Sequence, residues 1–285
     1  MTRKLVMSVT AVLTFAFTDA SAQIQGPPPN APVTRPGREP IPEPTKTPAE
    51  LPEGIALEIN GPPAKNMTPP SPDPKDFAGT YFHREDLVAR IRRTMYGNLT
   101  PYSLEGQKTL SDRILKDNAG TPEVNASSRC IPAGPIWQMD LNFPFRIIQR
   151  PRVIYFVFEE YHGLMTVRMN ARHMTDGPRS YMGDSVGHWE HDTLVVETTR
   201  FKSDMWLDVL GSPLSKDGTL TQRYRKIESG NALEVVTTVH DPINYDHDWS
   251  FARSEVWRPD KAVLGEYNCE FETGGPDGPD HHGAK

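Results

Sequence analysis

The stretch TLTQRYRKI at residues 219–227, then ESGN, then ALEVVTTVH at residues 232–240, decides the fold. Both runs are rich in Val, Thr, Tyr and Ile and alternate with period two, which is the mark of strands with two different faces. In the second run Glu234, Val236, Thr238 and His240 share one face. The Ser229-Gly230-Asn231 gap is short enough to return the chain antiparallel.

Working outward, the same pattern recurs at 145–149, 152–159, 164–170, 186–190, 193–199, 249–257 and 262–271. Glu160-Tyr161-His162-Gly163, His191-Asp192 and Pro259-Asp260-Lys261 supply further tight connections. The chain therefore reads as mainly β, an antiparallel up-and-down meander. A meander of that length hides its edges by closing into a barrel or a half-barrel. A barrel of about eight to ten strands has an interior that is packed or holds one small ligand. Ahead of it, Leu87, Ile91 and Met95, then Leu110, Ile114 and Leu115 after the break at Pro101, predict one or two short helices.

The flanks read differently. Residues 1–22 open with Arg3 and Lys4, continue with an apolar run and end in Ala20-Ser21-Ala22, the pattern of a signal peptide cleaved after Ala22. The apolar run is shorter than the roughly 20 residues a membrane-spanning helix needs, so the mature chain carries no transmembrane segment and is expected in the periplasm or outside the cell. Residues 23–75 hold 16 of the 28 prolines and read as a disordered spacer. Residues 76–273 form one barrel-like domain and 274–285 a flexible tail. In an oxidising compartment Cys130 and Cys269, the two cysteines of the chain, are expected to pair.

A formal net charge of -6 without a basic cluster excludes nucleic acid as a partner. Strand alternation sorts the faces. Arg168 lies with Leu164 and Thr166 opposite Met165, Val167 and Met169; Glu197 lies with Val195 opposite Leu194 and Val196. Trp249, Phe251, Arg253, Glu255 and Trp257 share a face. One face is apolar and the other mixes charge with aromatic rings. Two readings stand: the mixed face is a solvated exterior, or Arg168, Glu197, Arg253 and His240 point inward and furnish a small-molecule pocket.

Gly183-Asp184-Ser185-Val186-Gly187 matches the G-x-S-x-G of a nucleophile elbow, but a hairpin rather than a helix follows it. The glycines are better read as turn formers, with Asp184 and Ser185 bonding loop amides. His188 and His191 are three apart on a strand that ends in a turn, so they point to different sides and do not share a metal ion. Asp246-His247-Asp248 and His281-His282 read as a polar loop and a tail. No zinc, nicotinamide or Walker motif is present, so the sequence calls for no metal or cofactor. Acid–base candidates are His240 with Asp241, and Asp208 beside Trp206, where an indole can raise a carboxyl pKa by desolvation.

Phe77-Ala78-Gly79-Thr80-Tyr81, Leu99-Thr100-Pro101, Cys130-Ile131-Pro132-Ala133-Gly134-Pro135, the block from Gly183 to Thr198, Trp206-Leu207-Asp208, Asp241-Pro242 and Tyr267-Asn268-Cys269 follow one another in this order. In that series the chain resembles a large family of exported proteins of proteobacteria and acidobacteria. The resemblance implies a secreted, lipocalin-like β domain and brings no reaction with it. It matches at Arg168, Asp184, Trp189, Asp192, Trp206, Asp208, Arg223 and Asp241. The family usually has glycine at the position of His191 and often arginine at that of His188, which weakens a metal role further.

Three functions fit these readings. One is a barrel binding a small, partly apolar ligand through Arg168, Trp189, Glu197, Trp206, Arg223 and Arg253, with Arg168 orienting an anionic or carbonyl group. Another is a cofactor-independent isomerase, lyase or hydrolase using Asp184, Asp208, His240 or Asp241 in the same cavity. The third is an envelope scaffold contacting partners through its proline-rich arm.

Overall fold

The computed structural model describes residues 38–39, 41–42, 64–83, 100–121, 133–141, 143–203, 205–208 and 211–265. Residues 1–22, read as a signal peptide, both cysteines, residues 274–285, read as a tail, and residues 84–99, where the first helix was expected, lie outside these residues.

Period-two alternation produces β1 (Gly79–His83), β2 (Phe145–Arg150), β3 (Val153–Phe158), β4 (Leu164–Met169), β5 (Asp184–Glu190), β6 (Thr193–Thr199), β9 (Thr219–Ile227), β10 (Ala232–His240) and β11 (Trp249–Trp257). These nine close into a barrel in the order β1-β11-β10-β9-β6-β5-β4-β3-β2. A two-stranded ribbon, β7 (Met205–Trp206) with β8 (Pro213–Leu214), stands apart from it.

Two details differ from the meander read in the sequence. The chain between β4 and β5 runs back along the wall before re-entering, so Arg168 pairs with Val186 in a parallel ladder rather than a hairpin. Closure is made by β1, which pairs with both β2 and β11, and residues 262–265 are not strand. Gly79 permits that closure: a Cβ there would sit 1.9 Å from the Trp257 ring, and its φ is +150°.

Inside, the apolar faces meet. Tyr81, Phe145, Phe156, Phe158, Met165, Val167, Leu194, Val196, Leu233 and Val235 form one buried core with Tyr224 and Trp257. Phe145 lies 5.5 Å from Phe158 and Phe156 lies 5.2 Å from Tyr224, centroid to centroid. Burial of this kind stabilises by about 25 cal/mol per Å² of apolar surface.

One end is closed by α1 (Leu104–Asn118) and α2 (Pro135–Asp140). Ser103 caps α1 by accepting the Gly106 amide, and Leu110 and Ile114 turn inward while Leu115 stays exposed. All six residues of α2 are buried.

The opposite end is crossed by residues 64–78. Trp257 Nε1 donates to the Thr68 carbonyl at 2.8 Å, and Lys226 Nζ donates to the carbonyls of Ser71 and Asp73. Lys75 sits over the Trp189 ring. The last part of the proline-rich segment thus belongs to the folded body and not to a spacer. Arg38 likewise pairs with Asp246 at 2.9 Å, and Ile41 packs on the α end.

Candidate functional site

Register fixes which face of each strand looks inward. On β4 and β6 the apolar face does, so Arg168 and Glu197 lie on the outer wall. His240 is on the outer face of β10 and pairs with Asp248, both more than half exposed. Arg223 is also outside, bridging to Glu190 at 2.5 Å. The inward reading of Arg168, Glu197 and His240 is therefore corrected: the inner face of those strands is supplied by their apolar alternates.

On β11 the mixed face does turn inward, because the other face carries only Ser250, Ala252, Ser254 and Val256. Arg253 and Glu255 are consequently buried among rings. Arg253 Nη1 donates to the Ile136 carbonyl at 2.8 Å and forms an ion pair with Asp140 at 2.8 Å, locking α2 in the barrel end. Glu255 is 0% exposed and faces His83 directly across the β1–β11 ladder. Burial pushes its carboxyl up to about 8, opposed by Arg253 and assisted by Asp140.

Four side chains spaced along the inner face of β9, β10 and β11 share one property. Both carboxyl oxygens of Glu255, the Tyr224 hydroxyl, the Gln222 side-chain carbonyl and the Thr237 hydroxyl are buried without a hydrogen-bond partner among the described residues. Gln222 and Thr237 are direct cross-strand partners, and Tyr224 lies within the electrostatic reach of both Arg253 and Glu255. A buried polar group left unpaired costs about 1–3 kcal/mol, so a patch of them on one wall asks for something that pairs with it.

The four acid–base candidates are not assembled into one site. Asp184 is nearly buried and accepts from Arg168 Nη2 at 2.7 Å, His173 Nδ1 at 3.0 Å and the Met174 amide at 2.8 Å. Burial raises its pKa, but those donors outweigh burial and hold it below the usual range. This carboxylate pins the returning 171–183 loop to the wall from within strand β5, and Ser185 bonds the Thr198 hydroxyl, so neither serves the amides of a 183–187 turn. Asp241 accepts from the Ser215 amide and hydroxyl, the Ile243 amide and the Asn244 side chain, and so builds the β10–β11 connection. Asp208 accepts the Ser212 amide at 3.1 Å beside the β7–β8 ribbon. His240 is the surface residue placed above.

Trp189 lies on the inner side of β5, 5.2 Å edge-on to Phe77, and Trp206 stacks on Trp137 at 6.0 Å outside the barrel. Of the ligand-binding candidates, Arg253 and Trp189 reach the interior. Among the described residues no group of three His, Cys, Asp or Glu side chains is placed to hold a metal ion. No helix there is long and apolar enough to cross a membrane.

The fold and this wall define a closed small barrel with a polar patch in an aromatic interior. No family model, no curated protein and no solved structure matches the chain.

Proposed function

We propose that the protein binds one small, partly apolar molecule inside the barrel, its polar end against Glu255, Gln222, Tyr224 and Thr237 and its apolar part among the neighbouring rings. The observation that carries this reading is the unpaired state of Glu255, fully buried and opposite His83. A ligand offering donors to Glu255 and Gln222 recovers the desolvation cost of those groups and gains apolar contact in the same step. The occupant is small, because aromatic side chains fill much of the core. Resemblance in the block from Gly183 to Thr198, together with the leader-like residues 1–22, supports an exported binding protein.

Native mass spectrometry of the protein purified without denaturation tests this. One small organic molecule retained per chain, and released by Glu255→Ala, is expected. A bare-chain mass across expression hosts, including the protein's own periplasm, would overturn it.

A further inference from the structure

A cleft on the outside of the barrel shares no residue with the interior patch. Arg179, Tyr181, Lys202, Ser203 and Lys216 line a cleft of about 520 Å³ at the α end. The sequence explains the gathering: the loop returning to β5 brings Arg179 and Tyr181, the exit of β6 brings Lys202 and Ser203, and the turn before β9 brings Lys216.

The geometry points to this cleft as a site for a compact oxyanion, the phosphate or carboxylate group of a small molecule. Arg179 is held from behind, donating to the Phe201 carbonyl at 3.3 Å and to the Lys216 carbonyl. Its guanidinium is therefore fixed rather than waving in solvent, as recognition of a planar or tetrahedral oxyanion requires. Asp217 is the acid of the rim, shared between Arg179 at 3.4 Å and Lys216 at 2.9 Å. Two of the three cations of the cleft thus share one exposed carboxylate, and Lys202 has none among the described residues.

Lys202 Nζ rests 4.6 Å above the Tyr181 ring and meets no carboxylate within ion-pair distance among the described residues. Convergent like charges repel, and an anion seated between them turns that repulsion into attraction. Such a concentration of positive charge is unexpected in a chain of formal net charge -6. The Ser203 hydroxyl adds a neutral donor and the Tyr181 ring an apolar wall for the rest of the ligand.

The test is titration of the 15N-labelled protein with sodium phosphate, and separately with sodium acetate, at ionic strength held constant with sodium chloride. Saturable amide shifts at residues 202, 203 and 216 are expected. Lys202→Gln and Lys216→Gln, both at exposed side chains, should each weaken binding roughly tenfold. A response to phosphate alone identifies a phosphorylated ligand, and one to acetate alone a carboxylate. Shifts that track chloride, or unchanged affinity in both variants, would overturn the site.

Discussion

Arg253 and Asp140 meet at 2.8 Å with their side chains only 5% and 7% exposed, so one ion pair in a nearly dry environment joins the barrel wall to the helix that closes its end. Removing one partner strands the other charge in low dielectric, whereas removing both leaves packing alone to be restored. Asp140→Asn or Arg253→Met alone is expected to cost about 3–5 kcal/mol in urea unfolding. The double variant Arg253→Met with Asp140→Leu should recover most of that loss.

Glu255 gives the barrel a pH dependence of unusual sign. Its folded-state pKa is raised to about 8 from 4.5, so the native state holds a proton that the unfolded chain has already released over that window. Stability from this group is present below about 4.5 and is lost as pH rises through 8. Glu255→Gln should flatten the profile and stabilise the ligand-free protein by roughly 3–5 kcal/mol above pH 8. Equal slopes for the two proteins in thermal unfolding from pH 5 to 9 would contradict a buried carboxyl at this position.

Asp184 works in the opposite direction. Its carboxyl is held low, so its contribution is present above the ordinary pKa of 3.8 and is lost as pH falls through the lower folded value. Asp184→Asn is expected to cost about 1–3 kcal/mol, chiefly through the Met174 amide and His173, since Arg168 is more than a third exposed. Hydrogen exchange should quicken first in residues 171–183.

His240 and Asp241 are adjacent in sequence and should behave oppositely. His240→Gln, at an exposed side chain, should shift stability by no more than about 0.5 kcal/mol and leave ligand retention intact. Asp241→Ala removes acceptors for Ser215, Ile243 and Asn244 and should cost roughly 2–4 kcal/mol. Denaturation midpoints of the two variants separate these roles.

Hairpin alternation from 219 to 257 was legible because each strand is nine residues long and the gaps carry turn residues. β1 was not, since GTYFH offers five residues and its partners are distant in sequence. The helix PIWQMD was missed for a related reason: six residues buried on every side show no period. Alternation also divides a strand into two faces without saying which is inner. Arg168 and Arg253 therefore looked equivalent, and only the register sends one to the wall and the other to the core. Glu255 lay in plain view between Arg253 and Trp257, but nothing in the linear chain marks a carboxyl as fully buried. His173, the partner of Asp184, sits eleven residues before it across a loop whose path the sequence does not define.

The most direct measurement is a high-resolution crystallographic map of the protein as purified, inspected on the inner wall between Glu255 and Gln222. Density for a small organic molecule in hydrogen-bonding contact with the Glu255 carboxyl is the expected result. A wall whose polar groups are satisfied by one another or by water alone would contradict the binding role.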